Sequence, residues 1–219
     1  MAAPSDAPTV DSLAVADDAD AWRAVGFDVD DDGTCRVGTV TVRIAPPDGR
    51  PGIRGWSVRG LATAEVDGLP TELSGAPAAE PAPRHPNGVA TIDHLVAFTP
   101  DRARTAAALE RAGLRLRRMR DEPTPAGGGF QAFFRLGEVI LEVIEIAPDA
   151  PRAPEPDAPA RFWGLAFGVD SLERATELLG EGLSEPRDAV QPGRRIATLR
   201  RSAGVGIPMA FMTPGPGAT

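Results

Sequence analysis

Residues 90–98 read Ala90-Thr91-Ile92-Asp93-His94-Leu95-Val96-Ala97-Phe98, and residues 139–146 read Val139-Ile140-Leu141-Glu142-Val143-Ile144-Glu145-Ile146. Both runs are short, rich in β-branched and apolar residues, and broken only by isolated ionisable side chains, which predicts strands. Between them the sequence predicts one helix and two further strands. Thr99 is placed to cap a helix whose first position is Pro100, where a missing N–H costs nothing. Ala103, Ala106, Ala107 and Leu109 form its buried stripe, and Gly113 supplies a left-handed stop after about Ala112. Leu114 to Arg118, a turn at Gly127-Gly128-Gly129, Phe130 to Leu136 and Val139 to Ile146 follow, the last two strands joined by a hairpin-length turn at Gly137-Glu138. The unit reads strand, helix, three strands.

Working outward, the same pattern recurs on either side. Trp163 to Val169 predicts a strand, Asp170 with Glu173 three residues on predicts a helix start, and Gly180 ends that helix. Strands are expected at Glu185 to Val190, Arg195 to Arg201 and Ile207 to Met212, the last with one unpaired edge because Pro208 lacks an N–H. The first block is shorter: a strand at Ser12 to Val15, a helix from Asp18 to Val25 stopped by Gly26, and a hairpin from Phe27 through Gly33 to Ile44. Trp56 to Leu61 opens a further strand, and Asp67 to Leu73 stands where a helix would be expected. Segments dense in Pro and Ala, Gly75 to Gly88 and Pro148 to Ala160, separate the blocks. The expected boundaries are 1–80 for the reduced first pair, 81–88 for a Pro-rich linker and 89–219 for a full pair.

Composition narrows the function classes. Lys+Arg 23 against Asp+Glu 31 gives a net charge of -8, and every cation is arginine. No broad basic face is available to a phosphate backbone, so nucleic acid is not an expected partner. The most apolar run, Val139 to Ala147, carries Glu142 and Glu145 and is far shorter than the roughly 20 residues a bilayer requires; no membrane span or secretory leader is expected. The single cysteine, Cys35, makes no intrachain disulfide, and a cytoplasmic location follows by default. Asp28-Val29-Asp30-Asp31-Asp32-Gly33 begins like a calcium loop, but Thr39 stands where a bidentate Glu is needed and no helix follows, so a turn is expected. The Gly127 to Gly129 run has no Lys-Ser or Lys-Thr after it and is not a phosphate loop.

Ile92-Asp93-His94-Leu95-Val96 and Ile140-Leu141-Glu142-Val143-Ile144 resemble the first and fourth strands of a module of the vicinal oxygen chelate superfamily, the glyoxalase, bleomycin-resistance and extradiol dioxygenase group. The likeness covers about Val89 to Pro214 and, more faintly, the first block. It implies an α+β fold of paired strand-helix-strands modules in curled mixed sheets, with a full pair in the C-terminal two-thirds and a reduced N-terminal pair. A ferredoxin-like arrangement shares the same elements in a different strand order. The resemblance also implies that His94 and Glu142 point into a cup, where imidazole and carboxylate on rigid strands hold a divalent ion such as Zn, Fe, Mn or Ni and leave positions for a substrate's oxygens. The partner module departs from the pattern. The position matching His94 is Gly164, and Ile207 to Met212 contains no acid.

These residues leave several uses open. His94 is either a ligand or a histidine satisfied by a neighbouring carboxylate. Glu142, within an apolar strand, needs a polar cavity or a partner. Glu138 or His85 could add a third donor, whereas Asp93 and Glu145 should face away because strand side chains alternate. Gly164, Ala166 and Gly168 leave one strand face small, either around a ligand or where another strand approaches. The bulky face, with Trp163, should pack on helices. Gln131 or Arg135 could enter the cup, and Arg194-Arg195 or Arg200-Arg201, which flank one strand, could meet a ligand's carboxylate or phosphate. The expected function is small-molecule binding in a β-sheet cup without a complete metal site, with no cofactor firmly implied. The alternative is a metal-dependent lyase, isomerase or dioxygenase in which His94 and Glu142 are metal ligands and Glu142 is catalytic. A module kept only for assembly is a third reading, and an apolar edge such as Ile207 to Met212 would permit a homodimer.

Overall fold

The computed structural model describes residues 7–122, 129–150 and 153–215. In chain order the elements are β1 (Thr9–Ala16), α1 (Ala19–Ala24), β2 (Thr34–Val37), β3 (Val40–Ala45), β4 (Gly52–Arg59), β5 (Thr71–Ser74), β6 (Val89–Thr99), α2 (Arg102–Arg111), β7 (Leu116–Arg120), β8 (Gln131–Leu136), β9 (Val139–Glu145), β10 (Arg161–Val169), α3 (Leu172–Leu179), β11 (Arg187–Asp188), β12 (Arg195–Thr198) and β13 (Met209–Met212). The Gly127-Gly128 part of the expected turn lies outside the described residues.

The strands form a five-stranded sheet, β2-β3-β1-β4-β5, and an eight-stranded sheet, β11-β12-β13-β10-β6-β9-β8-β7. In the larger sheet each module closes on its own first strand in parallel, β6 against β9 and β10 against β13. The two first strands then pair antiparallel, which makes one continuous sheet. The smaller sheet repeats this grammar: β1 runs parallel to β3, β4 parallel to β5, and β1 antiparallel to β4. The chain between β4 and β5 forms turns and irregular backbone where a module would have its helix.

Several local expectations are corrected. Helix α2 is capped by Asp101, whose side chain accepts from the Arg104 N–H, because Thr99 is still in the strand with its hydroxyl accepting from Asp101. Ser171, not Asp170, caps α3. Strand β13 lies between β10 and β12 and is not an edge, since Pro208 falls just before its ladder begins. The edges of the larger sheet are β11 and β7, and β7 is the arginine-rich Leu116-Arg117-Arg118-Met119-Arg120, which discourages edge pairing.

One face of the larger sheet is covered by its helices and by the smaller sheet, in a single hydrophobic core. Leu95, Ala97, Leu165, Phe167 and Phe211 lie on this face, with Phe167 against Trp22 and Phe27 of the first block and Phe211 against Phe27. Trp56 of β4 meets Phe162 of β10 edge-on at 5.4 Å. Each buried side chain of this size contributes about 1.5–3 kcal/mol. A buried carboxylate fixes the joint. Asp17, at the end of β1, accepts from Trp22 Nε1 at 3.1 Å and from the backbone N–H groups of Asp18, Gly206 and Ile207. The last two donors belong to the chain entering β13, so one side chain links both sheets. Asp17→Ala strands these donors and is expected to lower stability by at least about 3 kcal/mol. A fall in the urea midpoint with an unchanged slope checks this; a midpoint within error of the parent counts against it.

Candidate functional site

The other face of the larger sheet carries the polar cluster, and a bulge in β6 builds it. Across the β6–β10 ladder, Ile92 pairs with Phe167 and His94 with Ala166, leaving Asp93 as an extra residue on β6. An extra residue breaks the alternation of faces. Asp93 therefore turns to the same side as His94, contrary to the expectation from strict alternation, and its Oδ1 lies 2.9 Å from His94 Nδ1. Glu145 does face the other way, accepting from the Arg102 N–H at the start of α2.

Counting back seven residues from the caps Asp101 and Ser171 reaches His94 and Gly164. Glu142 stands one rung beyond the Leu95–Leu141 pair, as Ala210 stands one rung beyond Leu165–Met209. The four equivalent positions are thus His94, Glu142, Gly164 and Ala210. The second module also carries a bulge at the place equivalent to Asp93, since Phe162 pairs with Ala97 and Gly164 with Val96. The displaced residue is Trp163. Instead of packing on helices it is 42% exposed, its ring 4.9 Å from that of Phe98, with the Arg161 guanidinium over Phe98.

His94 Nε2 lies 3.4 Å from Glu142 Oε2, and the two side chains are only 15% and 13% exposed. Glu142 also accepts from the Gln131 amide N–H, and Gln131 is buried. Burial pushes the Glu142 carboxyl above its usual range, with His94 and Gln131 offsetting only part of the effect. Asp93 goes the other way. Burial alone would raise it, but hydrogen bonds from His94 and Arg194, with their charges, outweigh burial and hold it below the usual range. Arg194 reaches Asp93 from the turn before β12 and is itself held by the Thr213 carbonyl at 2.8 Å.

Other candidates fall elsewhere. Arg195 pairs at 2.8 Å with Glu173 on α3, so its neighbour Arg194 is the arginine that meets the cluster. Arg135 shares the Gln131 face of β8 but is exposed and bonds to the Gly137 carbonyl. A Cβ at Gly164 would stand 2.6 Å from the Pro208 carbonyl, so the close approach of that backbone requires the glycine, whereas one at Gly168 would meet the Thr91 hydroxyl, a side chain that can turn away. Glu138 is exposed beside Gly38. His85 is a core residue of the first block: Nδ1 accepts from the Asp28 N–H at 3.0 Å, and the ring packs on Phe27 and beside the buried Cys35, whose thiol burial pushes up to about 12. Sequence pattern missed Asp93 and the facing of Trp163 because a bulge has no periodic signature.

No family model and no curated protein matches the sequence. Solved structures do match it. A catechol 2,3-dioxygenase superposes with a TM-score of 0.58 at 12% identity, over 96% of this chain and 95% of that one. Homoprotocatechuate 2,3-dioxygenase from Brevibacterium fuscum, in complex with 3,4-dihydroxyphenylacetate, gives 0.58 at 13% identity over 99% of this chain and 86% of its own. The chain has the vicinal oxygen chelate fold. Both sheets fall within the matched length, so the shortened first block belongs to the vicinal oxygen chelate likeness as well as the full pair.

Of the four equivalent positions two carry donor side chains, His94 and Glu142, and two, Gly164 and Ala210, carry none. Catalytic zinc takes three protein ligands. Among the described residues no three His, Cys, Asp or Glu side chains converge to hold a metal. Gly164 and Ala210 offer no donor, so a centre using all four equivalent positions does not fit. Among the described residues there is also no helix long and apolar enough to cross a membrane.

His85 makes the first block sensitive to acid. Burial lowers its pKa, with Asp28 opposing. A histidine whose folded pKa is depressed contributes stability in full above its unfolded value, about 6.5, and loses it as pH falls through the folded value. Urea midpoints from pH 8 to pH 5 are expected to fall on the acid side, and His85→Gln to flatten that limb. Parallel pH profiles for parent and variant would contradict the assignment.

Proposed function

We propose that this chain binds a small organic ligand on the open face of the eight-stranded sheet, with His94, Glu142 and Gln131 at the polar end and Phe98 and Trp163 as its apolar contact. The observation carrying this reading is the one-sidedness of the cluster. Ionisable groups are concentrated on the β6–β9 wall at mostly buried positions, where unpaired polarity is costly, while the equivalent positions on the β10–β13 wall are Gly164 and Ala210. Binding sites typically combine apolar area with a few convergent polar groups, including ones with perturbed pKa values. Glu142 and Asp93 are shifted in opposite directions within one cluster.

A metabolite screen by thermal shift is expected to yield a compound that raises Tm and quenches the exposed Trp163. Trp163→Ala should weaken that compound by at least about 1 kcal/mol, as loss of an aromatic anchor does. The reading fails if no compound stabilises the protein, or if the compound's contacts map away from this face.

A second reading is a metal-dependent lyase, isomerase or dioxygenase. The Asp93 bond to His94 Nδ1 favours it, because metal-bound histidines are usually oriented by a carboxylate in this way. The ion would be held by His94 and Glu142 and would supply Lewis-acid polarisation. That reading requires a stoichiometric transition metal in protein purified without chelator, lost together with turnover in His94→Ala; the ligand-binding reading requires neither.

A further inference from the structure

We propose that Asp93, clamped by Arg194, is a positioning residue that holds His94 with its proton on Nδ1, so that Nε2 is an acceptor for a hydroxyl or ammonium donor on the bound ligand. The inference rests on the ligand-binding reading of this face. It names the chemistry the ligand must carry.

Two carboxylates compete for the imidazole. Asp93 Oδ1 is 2.9 Å from Nδ1, within hydrogen-bond range, whereas Glu142 Oε2 is 3.4 Å from Nε2, beyond a good N–H···O bond. Asp93 also pairs with Arg194, and a carboxylate in such a pair is ionised and can only accept. The proton on that side therefore belongs to Nδ1, and in the neutral ring Nε2 keeps its lone pair.

A second acceptor flanks Glu142. Gln131 is 5% exposed, and its Oε1 is, among the described residues, a buried side-chain atom with no hydrogen-bond partner, while its N–H group is turned to Glu142. Native structures rarely leave such an acceptor unmet. Oε1 of Gln131 is enclosed as the structure stands, so of the two acceptors flanking Glu142 it is Nε2 of His94 that a ligand's O–H or N–H donor complements. Arg194 comes from the second module and Asp93 from the first, so the orientation of His94 depends on the pairing of the two modules.

The test is 15N NMR of the imidazole rings in the intact chain at neutral pH. The chain has only two histidines, and His85→Gln assigns the other resonance. Unmodified His94 is expected to show a protonated Nδ1 and an unprotonated Nε2. In Asp93→Ala the proton is expected to move to Nε2, towards Glu142, and Arg194→Gln should give a mixture while keeping the fold. A proton on Nε2 in the parent protein, or an unchanged pattern in Asp93→Ala, overturns the assignment. Titration with mandelate and with phenylacetate, which differ by one hydroxyl, tests the ligand class. Mandelate is expected to shift the Nε2 resonance and to bind roughly tenfold more tightly, the difference that about 1.4 kcal/mol represents. Equal binding of both overturns the donor requirement alone. If neither perturbs Trp163 or His94, the donor requirement falls together with the reading of the face as a ligand site for such molecules, whatever the tautomer.

Discussion

The antiparallel ladder between β6 and β10 is the constraint on which the rest of the molecule depends. Each of these strands is the first of its module and the parallel partner of its last, so joining the two converts a pair of half-sheets into one continuous surface. The ladder is not regular. An extra residue at Asp93 and another at Trp163 occupy equivalent places, one just before His94 and the other just before Gly164. A bulge brings two consecutive side chains to one face. In the first module that adds a carboxylate to a histidine, and in the second an indole beside a glycine.

The two faces of that sheet have divided roles. The covered face is apolar and is closed by Trp22, Phe27 and Trp56 of the smaller sheet, with Asp17 satisfying backbone donors that the joint would otherwise leave buried and unpaired. Because the smaller sheet holds this face, the polar cluster lies on the opposite one. There the polar groups are arranged in sequence across strands: Arg194, Asp93, His94, Glu142, Gln131. A chain of partners of this kind distributes the cost of burying ionisable groups, and removing any one of them leaves the next uncompensated.

Much of the architecture was legible because it was written more than once. The glycine stops after α2 and α3, the apolar strands at Val89 to Thr99 and Arg161 to Val169, and the hairpin at Gly137 rest on local rules that need no tertiary context. His94 and Glu142 were legible for a different reason: an ionisable residue within an apolar strand must have a partner. The helix caps were less so, because Thr99-Pro100-Asp101 and Asp170-Ser171 each offer adjacent candidates, and the choice depends on how far the strand runs. The small face of β10 left two uses open, and the structure sets the Pro208 carbonyl against Gly164 and the Thr91 hydroxyl against Gly168.

By itself the sequence determined the repeated module, the two ligand-type residues of the first module and their absence from the second, since these depend only on residue type and order. Tertiary structure decided which residues share a face with them. Alternation along a strand is a local property, but a bulge arises where two strands of unequal local length must stay in register, and that mismatch exists only once β6 and β10 are paired. Asp93, Trp163 and Arg194 joined the open face, and His85 and Arg195 left it, through contacts between segments distant in sequence, whose register no local pattern records.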